Sequence, residues 1–406
     1  MNEKMQQARQ AALDILQPSP RDLEHGLELH RNSIVIDTYG FGPGAALDTQ
    51  ILQQAIQDGI SDAEFQDLSE GMPMLRYLTD PDELAEYQDA WNEAGVTCIV
   101  RNAGEESQAP QVLLKRLARF VHVTDVLRDF VPKAVRAADI EAAHQAGRHC
   151  ICLTCNGVPL TQEWRFTTAE LAYIPLFHQL GCRMMHLTYN RRNMLGDGCA
   201  EPSNAGLSDF GRLAIAAMNR AGVIVDVAHS GWRTSLETAR ASAKPMVASH
   251  TTCDALHHHC RAKPDEVIRA ILDTGGMLGI CGIAGFLGGD GAIAALLDHI
   301  DYMVKKFGDA AVGIGTDTSY QSSLSARHPP FTRPYRRPRF ESFWPDGSLA
   351  QPQWNQPRQL LSLGWINWPM FTVGLVQRGH SDATIRKILG GNFLRVLRAN
   401  AINGAP

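Results

Sequence analysis

Two histidines carry the sharpest chemical signal in this 406-residue chain. His229 follows the apolar run VIVDV and His250 follows PMVAS; they stand 21 residues apart, about one strand–helix unit. Neighbouring parallel strands run about 4.8 Å apart, so imidazoles at adjacent strand ends can meet on one ion. Neutral imidazole is the commonest metal ligand, and two such nitrogens with a thiolate or carboxylate suit zinc. Either histidine alone reads as a polar loop residue; the pair, placed by strand register, reads as a metal site. Cys155, closing HCICLTC, is the candidate thiolate ligand, with a small core-filling thiol as the alternative. Asp317, just after GIGT, offers a carboxylate that can ligate an ion, shuttle a proton or orient an amine, or simply cap a helix. Arg261 can clamp a carboxylate through paired hydrogen bonds, or stand in solvent. Tyr39, Asn156 and Tyr189 follow three more strand-like runs and would face the same mouth.

The elements that must position these residues are legible as short apolar runs. They are Ser33–Asp37, Val96–Arg101, His149–Thr154, Cys182–Leu187, Val223–Val227, Pro245–Ser249, Met277–Cys281 and Ala311–Thr316. Near-continuous apolar runs mark strands buried on both faces. Helical patterns lie between them: Leu207–Arg220 with Ser208 as N-cap, Trp232–Ala243, Pro264–Thr274 and Ile293–Phe307. Gly222, Gly275 and Gly308 stand where helix C-termini favour glycine. Eight strand-then-helix units predict an α/β fold closed into a (β/α)8 TIM-type barrel, whose active site lies at the C-terminal ends of the strands. A doubly wound open sheet is the alternative. Residues 1–32 read as a helical extension, and 33–406 as one barrel domain with insertions at about 38–80 and 319–357. The second insertion is rich in arginine and aromatics: Arg333, Tyr335, Arg336, Arg337 and Arg339. Gln377–Arg398 reads as a closing helical pair, interrupted at Gly390–Gly391.

Composition narrows the function classes. A net charge of −5 argues against a general nucleic-acid binder. Nine cysteines, an odd number in a long chain, do not form a secreted disulfide framework and point to a reducing cytoplasm. The N-terminus lacks the apolar segment of a signal peptide, and no run is long enough to span a bilayer. Cys152 and Cys155 form C-x-x-C, but within a strand rather than at a helix N-terminus, which speaks against redox chemistry.

The segments GLSDFGRLAIAAMNRAGVIVDVAHSGWRTS, KPMVASH, CRAKPDEVIRAILDTGGMLGI, VGIGTD and ILGGNFLRVL together resemble the renal (membrane) dipeptidase family of zinc peptidases, over about Ser33 to Leu397. The resemblance implies a metallo-dependent hydrolase barrel that cleaves dipeptides with two zinc ions bridged by a glutamate and a hydroxide. His229 and His250 fall on the two histidine ligands of one zinc, Arg261 on the arginine that binds the substrate carboxylate, and Asp317 on the aspartate that handles the amine and proton transfer. The family's first motif, D-G-H-x-D, reads here Asp37-Thr38-Tyr39-Gly40-Phe41, so both protein ligands of the other zinc are replaced. The bridging glutamate falls on Cys155 or a residue beside it, and a substrate-contacting histidine becomes Tyr189 in LTYN. The expectation is an amide hydrolase for a dipeptide or N-acyl amino acid. His229, His250 and Cys155 would hold one zinc ion, or a vacant site. Asp317 and Tyr189 would be catalytic, and Arg261, Tyr39 and Asn156 would bind a small peptide-like substrate, with a homodimer in prospect. The alternative is a family member without peptidase activity: a binding or maturation protein, or an enzyme of another class tailoring a peptide-derived metabolite.

Overall fold

Eight parallel strands follow one another around the molecule: Ile36–Gly40 (β1), Cys98–Asn102 (β2), Cys150–Cys155 (β3), Cys182–His186 (β4), Ile224–Asp226 (β5), Val247–Cys253 (β6), Met277–Cys281 (β7) and Val312–Gly315 (β8). Each pairs with the next in chain order. The structure is a computed structural model that describes residues 1–103, 109–161, 163, 166–330, 343–348 and 356–402. The segment bearing Arg333, Tyr335, Arg336, Arg337 and Arg339 lies outside the described residues. β8 and β1 close the ring through hydrogen bonds at their ends. Asp317 N donates to Tyr39 O and Phe41 N to Thr318 O, both at 2.9 Å, and Thr38 Oγ1 donates to Ile314 O at 3.0 Å. The fold is therefore the (β/α)8 barrel rather than an open sheet.

Alternation along each strand divides the apolar residues into two layers. Ile36, Cys98, Val100, Cys150, Cys152 and Met184 pack together inside the barrel. Ile99, Ile151, Leu153, Cys155 and Met185 face outward against helix residues such as Leu113, Leu117 and Ile215. Cys152 and Cys155 thus lie on opposite sides of the sheet, as the odd spacing of C-x-x-C requires in a strand.

Helix ends follow the side-chain chemistry. Ser208 Oγ accepts from Gly211 N at 2.9 Å and starts helix Asp209–Ala221, which Gly222 ends at a φ of 76°. The C-terminal segment departs from the expected helical pair. Asp382–Arg386 runs through a π-turn, Lys387–Gly391, directly into Asn392–Asn400. Gly390 does not break the helix; a Cβ there would lie 2.5 Å from Ile34 O, so glycine lets the helix approach the chain just before β1. β1 begins later than expected from the sequence. β6 runs on to Cys253 because its outer half pairs with the two-residue strand Ala262–Lys263.

The two insertions meet. Gly42–Gly44 pairs in parallel with Ser319–Gln321, and helices Thr49–Gln57 and Asp62–Leu75 stand beside this ribbon. The N-terminal helices Glu3–Leu16 and Pro20–Arg31 lie against the C-terminal region, where Asn367 Nδ2 donates to Ala8 O and Gln377 Nε2 to Leu16 O.

Candidate metal centre

His229 and His250 meet as their spacing predicts. Their Nε2 atoms are 2.9 Å apart, and both side chains are buried. Each ring is held from behind. Asn190 Oδ1 lies 2.7 Å from His229 Nδ1, and Ser249 Oγ lies 2.8 Å from His250 Nδ1. Asn190 adopts a left-handed φ of 54°, which asparagine tolerates. Its Oδ1 also accepts from Cys199 Sγ, an assignment that makes His229 the Nδ1–H tautomer and turns its Nε2 lone pair towards His250. Burial, reinforced by the Arg261 cation and neighbouring imidazoles, holds the pKa of both rings well below the ordinary histidine value, so both are neutral near pH 7. With its proton on Nε2, His250 donates an ordinary hydrogen bond to His229; with its proton on Nδ1, towards Ser249 Oγ, both Nε2 lone pairs face one point and suit a metal ion. Two nitrogens at about 2.05 Å from a tetrahedral ion stand roughly 3.3 Å apart, so the pair need open by only about 0.4 Å.

A third imidazole joins them. His186, the last residue of β4, forms with His229 and His250 a buried group whose possible ligand atoms all lie within 4.8 Å of one another. Its ring centroid is 5.4 Å from each of the other two. His186 Nε2 lies 2.9 Å from Asp226 Oδ2, but the two are misaligned for hydrogen bonding and each is left without a hydrogen-bond partner. Burial pushes the Asp226 carboxyl up, yet His186 and the hydrogen bonds from Ser249 outweigh burial and leave its pKa below the usual range. His186 Nδ1 lies 3.2 Å from Cys155 O, so Nε2 is the nitrogen that could bind an ion, and it would do so in place of its contact with Asp226. Three imidazoles gathered in this way suit a borderline-soft divalent ion, and the carbonyl behind Nδ1 is the kind of partner that orients such a ligand. The sequence reading places the functional tip of this strand in the residues after Leu187 and so passes over His186, with which the strand itself ends. The signal was its parity: it shares the inward face with Met184.

The expected ligand Cys155 is corrected. Its Sγ packs 3.3 Å from Cys182 Sγ in the outer layer, since alternation along β3 points residues 151, 153 and 155 away from the barrel interior. The next residue, Asn156, takes the inward direction: its Oδ1 accepts from Tyr39 Oη at 2.7 Å. Asn156 is thus the inward-facing candidate for the position that the family resemblance gives to a bridging glutamate. Tyr39 stacks on His250 with centroids 3.8 Å apart, and Tyr189 stacks on His229 at 4.1 Å, so each histidine carries an aromatic cover.

Arg261 is fully buried and donates from Nη2 to His250 O at 3.0 Å, while its Nε has no hydrogen-bond partner. Its guanidinium lies over the Phe286 ring at 5.4 Å. Burial works against the cation, but Cys199, Cys281, Asp317 and Tyr189 outweigh it and raise the Arg261 pKa. Asp317 thus belongs to the same neighbourhood, in a left-handed backbone conformation with φ of 56°. The sequence-predicted residues His229, His250, Arg261, Asp317, Tyr189, Tyr39 and Asn156 gather at one end of the barrel; the Cys155 side chain does not.

Comparisons with known proteins agree with this architecture. The model of the membrane dipeptidase family (peptidase family M19) matches residues 28–324. Among curated relatives, dipeptidase aclJ of Aspergillus oryzae is 30% identical over 47% of this chain and 45% of its own length. Dipeptidase tcpJ of Claviceps purpurea is 25% identical over 68% of this chain and 57% of its own. The chain spans about half the length of these curated relatives. Of the solved structures, an amidohydrolase from Pseudomonas aeruginosa superposes with a TM-score of 0.66 at 26% identity, covering 92% of this chain and 98% of its own. A metallo peptidase from Rhodobacter sphaeroides, liganded with a phosphinate mimic of the dipeptide L-Ala-D-Ala, shares the fold with a TM-score of 0.63 at 17% identity, over 91% of this chain and 100% of its own. No helix among the described residues is long and apolar enough to cross a membrane. With the family model covering well over half of its residues, the chain belongs to the membrane dipeptidase family, peptidase family M19.

Proposed function

We propose that this protein is a metal-dependent hydrolase of the amide bond in a dipeptide or N-acyl amino acid, with a single ion, zinc by donor chemistry, held by His186, His229 and His250. The observation that carries the reading is the convergence of three buried imidazoles beside the buried guanidinium of Arg261. A bound ion would supply a Lewis acid for the scissile carbonyl and acidify water. Arg261 takes the substrate carboxylate with its free Nε and the adjoining nitrogen, which fixes the amide bond relative to the histidines. Asp317 accepts a proton and passes it to the leaving amine. Tyr189 and Tyr39 shield the two histidines from bulk water, and the Tyr39–Asn156 hydrogen bond holds that cover in place. Membership of the dipeptidase family and the dipeptidase names of its relatives support this substrate class. The test is elemental analysis of protein purified without added metal, alongside a panel of dipeptides including L-Ala-D-Ala. The expectation is about one zinc per chain with turnover; metal-free protein that turns over no dipeptide, even with zinc restored, overturns the reading.

One observation favours the second reading, a member without peptidase activity. Aromatic Tyr39 and Phe41, with ring centroids 5.8 Å apart, occupy the positions at which the family's other ion has its histidine and aspartate. The triple variant Tyr39→His, Phe41→Asp, Asn156→Glu restores those ligand types. Dipeptide turnover that appears only in the triple variant supports this second reading; equal turnover in the natural protein defeats it.

A further inference from the structure

Arg101, in β2, is only 8% exposed, and its guanidinium makes no hydrogen bond or ion pair with any described residue, Nη1 being buried without a partner. Its guanidinium carbon stands over two phenyl rings, 5.6 Å from Phe41 and 4.9 Å from Phe120. A buried guanidinium without an anionic partner is costly, because aromatic faces replace only part of its lost hydration. Burial lowers the Arg101 pKa to about 10, and the nearby cation of Arg116 works in the same direction. Arg116 is itself neutralised: its guanidinium pairs with Glu70, with Nε donating to Oε2 at 3.1 Å. No such carboxylate faces Arg101 among the described residues.

The same residue lines a cavity of about 540 Å³, enough for a small organic molecule. This cavity sits between the two insertions, beside the ribbon of Gly42–Gly44 and Ser319–Gln321. Phe41, Leu47, Pro73 and Met74 give it an apolar wall, Arg101 gives it a positive charge that is unpaired among the described residues, and Glu70 is already taken up by Arg116. None of the three clustered histidines, nor Arg261, lines it.

We propose that this cavity is a binding site for a small carboxylic acid with an apolar chain, whose carboxylate pairs with Arg101 while the chain lies along Phe41, Leu47, Pro73 and Met74. A carboxylate fits the planar guanidinium fork and supplies the missing counter-charge, and the apolar wall accounts for the chain. The site is independent of the metal reading, since it shares no lining residue with the histidine cluster.

The experiment is calorimetric titration of the full chain with hexanoate, with hexanamide and inorganic phosphate as comparisons. Hexanoate is expected to bind, and hexanamide and phosphate to bind at least about tenfold more weakly. Arg101→Met is expected to weaken hexanoate by about tenfold or more, with a Tm in the absence of acid no lower than that of the natural protein. Arg261→Met is expected to leave hexanoate binding unchanged. Met74→Trp keeps the Arg101 charge but fills the cavity, and is expected to abolish binding; this variant decides the matter if Arg101→Met does not fold. Failure of hexanoate to bind, full affinity in Arg101→Met or Met74→Trp, or loss in Arg261→Met each overturn the proposal. Phosphate binding as tightly as hexanoate also overturns it, because a generic anion site needs no apolar wall.

Discussion

Arg261→Met separates substrate recognition from structural support. The guanidinium is wholly buried; one nitrogen donates to His250 O at 3.0 Å, another reaches Ala228 O only at 3.5 Å, and Nε has no partner. A substrate carboxylate can accept two charge-assisted hydrogen bonds from this fork, each worth roughly 1.5–3 kcal/mol. Truncating one side of such a buried pair typically costs about 2–5 kcal/mol. Taking about 3 kcal/mol, kcat/KM for a dipeptide should fall by roughly 150-fold. The contact lies away from the reacting atoms, so most of the loss should appear in KM. Methionine keeps the apolar stem over Phe286 and removes an incompletely bonded buried charge, so stability should change little. The informative assay compares a dipeptide with its C-terminal amide. The natural protein should prefer the free acid by about two orders of magnitude, and Arg261→Met should lose nearly all of that preference. A variant that folds normally and keeps its preference for the acid refutes the assignment. A variant that loses activity equally on acid and amide also refutes it, because Arg261 would then be acting through His250.

Further tests probe the support of the site. Asn190→Ala removes the acceptor that orients His229, and zinc affinity measured by chelator competition should fall about 10- to 100-fold; unchanged affinity would show that the tautomer is set elsewhere. Burial lifts the Asp37 carboxyl to about 7 despite hydrogen bonds from Thr316 and Trp365. The folded state therefore holds this proton to higher pH than the unfolded chain, whose value is about 3.9. The associated stability is present in full below about pH 4, is lost as pH rises to about 7, and changes no further above that, a span of the order of 4 kcal/mol. Urea melts of the natural protein and Asp37→Asn across this range should diverge accordingly, and parallel pH profiles would sink the idea. Gly390→Ala places a methyl against Ile34 O and should lower stability by about 1–3 kcal/mol, read as a reduced Tm without loss of the metal affinity of folded protein.

Much of this architecture lies in local pattern. The eight apolar runs, the Ser208 cap and the glycine at 222 are short-range signals, and each survives in the structure because local propensity and packing agree. The C-terminal glycine pair misleads for the opposite reason: isolated propensity predicts a break, whereas in the fold Gly390 lies in a continuous π-turn where the lack of a side chain permits close packing against Ile34.

At the site the division is finer. Residue type and strand spacing alone bring His229 and His250 together and mark Asp317 for the same end of the barrel, while Arg261 is marked for it by the family resemblance. Which side a strand residue faces depends on a register of a single residue, and only the closed barrel settles it. That register turns Cys155 outward, turns Asn156 towards Tyr39, and brings His186 from β4 to the pair. Sequence likewise shows Arg101 only as the end of an apolar run, not that its guanidinium has no partner among the described residues. Whether a buried charge has a partner depends on side chains far apart along the chain, which meet only when the insertions fold against the barrel.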